Sequence, residues 1–323
     1  MRPALRAGGG TARRASRKAD DGSRPRIAVT LGDARGIGPE VIAKALQDEA
    51  LRGLADFRIV GPSGSALKPD VETGFWIRDG GAALAGQLAG LAIDRAVRMA
   101  LDDEVDGIVT APIDKSALLA GGYAFPGHTE MLAALTGAET AMMLASDRLR
   151  VVLATTHVPL RDVPRLVTAE VIERTAAITR AGLAAWFGLP SPRIALCALN
   201  PHAGDGGRFG TEDDTVLAPA ARNAGLLGPF PADTVFVRAI RGEFDAVIAP
   251  YHDVGMTAIK VASFGGAVNV TLGLPFPRTS PDHGTALDIA GKGVADPSSM
   301  IRAMRMCVEI VVKSAERKAQ SAG

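Results

Sequence analysis

The sequence is poor in cysteine, its charges nearly cancel, and it has no long apolar run. Among 323 residues only Cys197 and Cys307 occur, without CxxC spacing, which argues against a disulfide framework and a cysteine-based zinc site. Lys and Arg number 36 against 35 Asp and Glu, which argues against a basic surface for nucleic acid. No stretch of about 18 apolar residues is present, as a membrane-spanning helix requires. Small molecules are the expected partners, and the cytoplasm is the expected location.

Common nucleotide-binding and hydrolase motifs are also missing. The glycine-rich strings GDARGIGPE and NPHAGDGGRFG do not have GxGxxG spacing, and no Walker A or GxSxG sequence occurs. Their glycines allow the backbone to approach a ligand closely, although ordinary tight turns explain them equally well. Nucleotide binding is therefore not indicated by any of these motifs.

The first 24 residues differ from the rest in being strongly basic, with Asp20 and Asp21 as the only acidic side chains. No apolar segment of about 7 to 15 residues follows Arg13 and Arg14, as an export signal requires. We expect a disordered basic tail, whose role is left open.

What the sequence has in abundance is an alternation of short apolar runs and helical patterns. Strands are predicted at 26–31, 57–60, 106–110, 141–145, 151–155, 193–198, 246–249 and 267–271, and helical patterns at 39–50, 88–101, 169–186 and 297–313. This order predicts an α/β fold of parallel strands covered by helices. In such sheets, ligands bind beyond the carboxyl ends of the strands.

Three histidines follow predicted strands directly. VVLATTHVP contains His157, IALCALNPHAG contains His202, and AVIAPYHDVG contains His252. Three imidazoles at neighbouring strand ends can hold Zn²⁺ or a similar divalent ion with one position open for a substrate oxygen. For any one of them, a hydrogen-bonded structural histidine is the alternative.

Other residues near predicted strand ends are suited to bind anions. His128 and Thr129 in FPGHTE precede a helical run, where free backbone N–H groups favour phosphate, although an ordinary helix cap is the alternative. Lys260, Asn269 and Arg278 add two cations and a neutral donor within nineteen residues, enough to hold a phosphate and a carboxylate. Taken singly, each is typical of a surface residue.

Several long strings resemble one enzyme family. GDARGIGPE, VTAPIDK, FPGHTE, LATTHVPLRDV, LNPHAGDGGRFGTED, YHDVGMTAIK and NVTLGLPFPRTSPDHGTALDIAGKG occur in the order typical of the 4-hydroxythreonine-4-phosphate dehydrogenases (PdxA-like proteins) of vitamin B6 biosynthesis. The resemblance covers residues 26 to 313. It implies two α/β/α domains with a cleft between them, similar in architecture to isocitrate and isopropylmalate dehydrogenases, and a tight homodimer. We expect residues 25–126 with 296–323 in the first domain, and 127–295 in the second.

The resemblance also implies roles for individual residues. His157, His202 and His252 match the family's metal ligands, with His252 donated by the partner subunit. The matching substrate contacts are His128, Thr129, Lys260, Asn269 and Arg278. Zn²⁺ is the expected metal, with Mg²⁺, Co²⁺ or Mn²⁺ as alternatives.

The implied reaction is oxidation of the 3-hydroxyl of 4-phosphooxy-L-threonine by NAD or NADP, followed by loss of CO₂ to give 3-amino-2-oxopropyl phosphate. Lys260 and Asp253 are the candidates to carry the hydroxyl proton. Asn200, Gly204, Gly207, Asp282 and His283 are the candidates for cofactor contacts.

Two departures from the family pattern stand out. The first loop is typically GDPAGIGPE, whereas Ala34 and Arg35 stand here, and the stretch between residues 60 and 86 is shorter than usual.

Two other functions remain open. Related family members oxidise D-threonate or D-erythronate 4-phosphate, which is the closest alternative. A metal-dependent phosphohydrolase is the alternative of another class.

Overall fold

A computed structural model describes residues 24–322 of the chain. The basic tail predicted for residues 1–24 thus lies outside the described residues, apart from Arg24. No helix in the described range combines the length and apolar character needed to cross a bilayer.

The strands form one sheet of eleven, in the order β3-β2-β1-β4-β11-β10-β5-β6-β9-β7-β8. Their bounds are β1 Arg26–Thr30, β2 Asp56–Ser63, β3 Val71–Phe75, β4 Gly107–Thr110, β5 Ala141–Ala145, β6 Arg150–Leu153, β7 Ile194–Cys197, β8 Leu227–Phe230, β9 Ala246–Ala249, β10 Val268–Leu272 and β11 Arg278–Pro281. The central strands β1, β4, β7 and β9 are almost wholly buried, because helices cover both faces of the sheet. The α/β prediction is confirmed.

The expectation of a wholly parallel sheet is wrong at two strands. β5 runs antiparallel to both of its neighbours, β6 and β10, and β10 also runs antiparallel to β11. Residues 146–149 join β5 to β6, and residues 273–277 join β10 to β11. Connections this short can make hairpins but not the crossover that a parallel pair requires.

Ten helices flank the sheet within the described range. They are α1 Gly38–Ala45, α2 Gly81–Leu101, α3 Lys115–Ala120, α4 His128–Thr136, α5 Val163–Leu166, α6 Ala169–Phe187, α7 Ala218–Ala224, α8 Ala232–Ile240, α9 His252–Ser263 and α10 Ser298–Ala322. Local sequence explains several of their ends: Pro39 lies in the first turn of α1, Thr168 caps α6 by accepting the N–H of Val171, and Gly188 ends α6 in a left-handed conformation.

The apolar core is divided by the sheet. On one face of the β5–β9 region, α8 and α9 enclose Leu144, Val151 and Val247, whereas α6 and α10 belong to the larger cluster that also contains Met143. Alternate residues of β5 therefore face different helices, as the pleat of a strand requires. Helices α3 and α9 begin within a few residues of the carboxyl ends of β4 and β9, so their first turns lie at this edge of the sheet.

Both cysteines are buried and unpaired. Burial raises the pKa of each thiol to about 12, so neither is a reactive thiolate near neutral pH. The prediction that they are not disulfide partners is confirmed.

Candidate active site

A cleft of about 510 Å³ opens at the strand ends between the β4 and β11 region and helix α9. Most of the residues singled out from sequence line it. These are His128, Thr129, His157, His252, Lys260, Asn269, Arg278, Asp282 and His283. Residues as far apart in sequence as 128 and 283 thus meet in one place.

Arg278 provides a buried positive charge at the base of the cleft. Its side chain is 1% exposed, Nη1 donates to Thr271 Oγ1 at 2.9 Å, and Nη2 donates to Thr110 Oγ1. Nε has no hydrogen-bond partner. Burial lowers the pKa of this guanidinium to about 9, so the cation persists at neutral pH with hydroxyl groups as partners. Such an arrangement is costly unless an anion binds there.

Unsatisfied polar atoms gather in the same cleft. Besides Arg278 Nε, the buried atoms without a hydrogen-bond partner include His128 Nε2, Asn269 Oδ1, Asp282 Oδ2 and His283 Nε2. Buried polar groups in folded proteins are nearly always paired, so a cluster of unpaired ones indicates a surface shaped for a polar ligand.

Helix α4 begins at the cleft wall with His128. Burial, Arg278 and Lys115 hold the pKa of His128 well below its usual value of 6.5, so this ring is neutral at pH 7. A neutral imidazole offers an N–H donor without adding a charge that must be desolvated. With the free N–H groups of the first turn, His128 and Thr129 make this helix end suitable for an anion.

Lys260 and Asp282 face each other across the cleft. Lys260 Nζ lies 3.6 Å from Asp282 Oδ2, and the Asp282 side chain is only 10% exposed. Lys260 itself is half exposed, so its ammonium remains accessible to a ligand that enters the cleft.

His157 and His252 form a close pair at the mouth of the cleft. Their ring centroids are 5.4 Å apart and their planes are tilted by 46°. Nδ1 of His252 donates to Asp253 Oδ1 at 2.7 Å, which leaves Nε2 of His252 for another partner. Burial, Lys115 and His252 lower the pKa of His157, which favours the neutral form that a metal ligand needs.

His202 is not part of this pair. Its exposed ring lies beside the ring of Phe209, with 6.3 Å between the two ring centroids, and His202 does not line the cleft. Across residues 24–322, no three metal-ligating side chains are grouped closely enough to hold an ion. His157 stands next to His252 within one chain, because both follow the neighbouring strands β6 and β9. The expected donation of His252 by a partner subunit stays a prediction.

The loop that carries His202 has an unusual backbone. His202, Ala203 and Asp205 all have positive φ values, of 52°, 55° and 44°. Asp213 holds the start of the loop by accepting the N–H groups of Leu199 and Asn200. Non-glycine residues in this conformation are uncommon and cluster at functional sites, so the loop is held in a defined shape although it faces solvent.

The candidate residues for cofactor contacts lie in two separate places. Asp282 and His283 line the cleft, whereas Asn200, Gly204 and Gly207 lie in the His202 loop away from it. The Asn200 side chain donates to Glu212 Oε2 at 2.9 Å, which is a contact within the loop.

Sequence reasoning missed several cleft residues. Lys115, Thr110 and Ser280 line the cleft but were not among the predicted site residues. Lys115 ends the string VTAPIDK directly after strand β4, so the rule that ligands bind beyond strand ends could have identified it. For Thr110 and Ser280, nothing in the sequence distinguishes a cleft hydroxyl from an ordinary strand residue.

Comparison with known proteins gives a consistent result. The family model described as "Pyridoxal phosphate biosynthetic protein PdxA" matches residues 71–307. A D-threonate 4-phosphate dehydrogenase of Cupriavidus necator is 42% identical over 335 residues, covering 90% of this chain and 98% of the relative. A 4-hydroxythreonine-4-phosphate dehydrogenase of Aromatoleum aromaticum is 45% identical over 317 residues, covering 90% and 97%.

Solved structures agree with these matches. The crystal structure of a 4-hydroxythreonine-4-phosphate dehydrogenase from Klebsiella pneumoniae superimposes with a TM-score of 0.79 at 38% identity, covering 89% of this chain and 98% of that one. A β-decarboxylating dehydrogenase from Thermococcus kodakarensis has a TM-score of 0.50 at 16% identity, covering 92% and 97%, which is a likeness of fold alone.

Proposed function

The chain belongs to the PdxA family, and from that premise we propose that it oxidises 4-phosphooxy-L-threonine at C3 with NAD or NADP and a divalent metal. It is a dehydrogenase, like the relatives reported above. The 3-keto acid would then lose CO₂ to give 3-amino-2-oxopropyl phosphate, a step in the formation of pyridoxal phosphate.

The buried cation of Arg278 is the observation that carries this proposal. An arginine that is 1% exposed and bonded to two threonine hydroxyls is stabilised when an anion enters the cleft. A phosphate suits it best, because a planar guanidinium donates two parallel hydrogen bonds to phosphate oxygens. The neutral His128 ring and the N-terminus of α4 supply further donors on the same side.

The substrate carries a carboxylate as well as a phosphate, and the cleft has cations for both. Lys115 and Lys260 line the cleft in addition to Arg278, and Asn269 adds an amide. We assign Arg278, His128 and Thr129 to the phosphate, and Lys115, Lys260 and Asn269 to the remaining polar groups. Two anchored ends would hold the C3 hydroxyl between them.

The histidine pair fits a divalent metal. His157 and His252 are close, His157 favours the neutral form, and the hydrogen bond that His252 Nδ1 donates to Asp253 leaves Nε2 of His252 as a ligand atom. A third ligand is needed, and we propose that His202 of a second subunit supplies it. Its exposure and its shaped loop suit a residue that completes a neighbour's site. This proposal differs from the donation of His252 across the dimer that the family resemblance implies, and that donation stays a prediction.

A metal bound there would supply Lewis-acid chemistry at the substrate hydroxyl. Asp253 orients His252, because its carboxylate already accepts the Nδ1 proton. Lys260 is the residue that we propose relays the hydroxyl proton, and Asp282, whose Oδ2 lies 3.6 Å from Lys260 Nζ, holds this side chain in place. The nicotinamide cofactor, when bound, would supply the acceptor for the hydride that leaves C3.

The nicotinamide cofactor would bind beside the substrate, near Asp282 and His283. Asn200, Gly204 and Gly207 remain predictions for cofactor contacts, and their place in the His202 loop would bring them to the site of the neighbouring subunit. The choice between NAD and NADP belongs to the same proposal.

A second candidate substrate is D-threonate 4-phosphate. It is favoured by the Cupriavidus necator relative, which is named for that activity and matches over 98% of its length. D-Threonate carries a hydroxyl at C2 where 4-phosphooxy-L-threonine carries an amine, so the phosphate-binding end of the cleft serves both. None of the relatives named above is a hydrolase, and the phosphohydrolase alternative therefore receives no support.

The test measures NADH formation by metal-loaded protein with 4-phosphooxy-L-threonine and with D-threonate or D-erythronate 4-phosphate. We expect the highest kcat/KM for the amino acid. A higher value for a hydroxy acid would move the enzyme to sugar-acid oxidation with the same mechanism. Release of inorganic phosphate without NADH formation would refute the dehydrogenase proposal.

A further inference from the structure

Arg35 lies outside the cleft but is bound to two carboxylates that shape its wall. Its Nε donates to Asp33 Oδ1 at 3.0 Å and its Nη2 donates to Asp33 Oδ2 at 2.6 Å. The same Nη2 reaches Asp114 Oδ2 at 3.2 Å. Asp33 is 1% exposed, so the bidentate pair neutralises a carboxylate that is otherwise buried.

Asp114 connects Arg35 to a cleft cation. The Asp114 side chain caps helix α3 by accepting the backbone N–H groups of Ser116 and Ala117 at 2.8 and 3.1 Å. The first residue of that helix is Lys115, which lines the cleft. Cε of Lys115 stands 3.7 Å from where a side chain of residue 127 would begin, beside the start of α4. The cap therefore determines where Lys115 enters the cleft.

The turn around Arg35 also joins two walls of the cleft. Asp33 N–H donates to Pro112 O, and Ile37 N–H donates to Thr285 O, each at 3.0 Å. Pro112 belongs to the wall that follows β4, and Thr285 follows directly on the wall formed by residues 280–284. A change in this turn would be transmitted to both walls.

We infer that Arg35 is a positioning residue for substrate binding, which acts through Asp114 to fix Lys115 at the wall of the cleft. The inference rests on the proposed function, since Lys115 is given a substrate contact there.

The test compares Arg35→Ala and Arg35→Lys with the wild-type protein. We expect Arg35→Ala to raise KM for 4-phosphooxy-L-threonine about tenfold while kcat changes less than about twofold, because binding and not chemistry depends on Lys115. Arg35→Lys keeps one charged contact and should recover part of the loss. Arg26→Ala is the matched control, since Arg26 makes a similar pair with Asp106 at the opposite end of β1 and should leave KM unchanged.

A double-substitution cycle tests whether Arg35 affects substrate binding through Lys115. Lys115→Ala should raise KM, and adding Arg35→Ala to it should change KM less than about twofold, because both changes remove the same contact. An unchanged KM in Arg35→Ala, or an equal effect in the presence and absence of Lys115, would overturn the inference.

Calorimetry of 4-phosphooxy-L-threonine binding in the absence of cofactor tests this inference separately from the proposed function. A weaker Kd in Arg35→Ala supports the role of Arg35 even if the wild-type protein fails to form NADH. An equal Kd in the two proteins contradicts that role even if NADH is formed.

Discussion

At the scale of single residues, the buried charge of Arg278 has opposite effects on the stability of the fold and on ligand binding. Its guanidinium is buried beside Thr110 and Thr271, which are uncharged partners. A lone buried charge lowers stability, whereas the same charge strengthens the binding of a phosphate that pairs with it. The burial of Arg278 was not predictable from sequence, because a buried arginine and an exposed one give the same residue pattern in a strand.

We predict opposite effects of Arg278→Met on stability and on binding. The free energy of unfolding without ligand should rise by about 1–4 kcal/mol, the range known for buried charges replaced by apolar residues of similar volume. KM for the phosphorylated substrate should rise at least about 30-fold, because one partner of a buried charge pair is lost. Thermal unfolding with and without inorganic phosphate measures stability and phosphate binding, and steady-state kinetics measure KM. A less stable variant that phosphate still stabilises would contradict the prediction.

His128 gives the protein a pH dependence. Its pKa in the folded state lies well below the value of 6.5 that applies when the chain is unfolded. As pH falls below about 6.5, the unfolded chain binds a proton here that the folded protein does not, so stability decreases at up to about 1.4 kcal/mol per pH unit. The loss continues until the pH reaches the lowered pKa of the folded state.

The check is denaturant unfolding of the wild-type protein and His128→Gln between pH 7 and pH 5. The variant should lose less stability over this range, since its side chain does not titrate. Parallel curves for the two proteins would show that His128 is not the group responsible. His157 is a second contributor of the same sign, because its pKa is also lowered.

At the scale of elements, the turn between β1 and α1 determines how the cleft wall is placed. Gly32 has a φ of 71°, and a Cβ added to it would lie 2.3 Å from Pro112 O. Glycine is needed here both for the left-handed conformation and for the close approach of the two loops. The first glycine of the string GDARGIGPE is thus explained by packing of the backbone.

We predict that Gly32→Ala weakens both stability and substrate binding. Gly122→Ala is the control, because Gly122 also has a positive φ, of 95°, but has open space around its Cα. The control should lose about 1–2 kcal/mol of unfolding free energy from the strained backbone alone. Gly32→Ala should lose more and should also raise KM, as measured by denaturant unfolding and steady-state kinetics. Equal effects in the two variants would show that the contact with Pro112 is unimportant.

Elements were predictable from sequence where the pattern is strong. Strands β1, β5 and β9 appear at the residues that the apolar runs indicate, and the helical pattern at 169–186 is α6. Strand β11, by contrast, reads RTSP, which is polar and contains proline, and its burial comes from the tertiary fold. The direction of β5 and β10 also escaped prediction, because an apolar run carries no information on which neighbour pairs with it.

At the scale of the whole molecule, we propose that the site extends beyond one chain. The cleft, the anion-binding residues and the pair His157 and His252 belong to one subunit. His202 lies elsewhere on the same subunit, exposed on a shaped loop. Sequence placed all three histidines at strand ends, which is confirmed, but the position of a strand end does not tell which imidazoles meet within one chain and which meet between chains.

The central claim is that the cleft of one subunit and His202 of another form one dehydrogenase site. Subunit mixing tests it with His202→Ala, whose cleft is intact, and Lys260→Ala, whose His202 is intact. Each variant alone should be nearly inactive. A mixed dimer would regain one complete site of two, so an equal mixture should recover about a quarter of the wild-type rate of NADH formation.

A second mixture serves as the control. His252→Ala and Lys260→Ala both alter helix α9 of the same cleft, so no mixed dimer of these two should contain a complete site. The measurement to make first is therefore the NADH rate of the two mixtures after verified subunit exchange. We expect recovery only in the mixture that contains His202→Ala; no recovery there, or recovery only in the His252→Ala mixture, would contradict a site completed by His202 of another subunit.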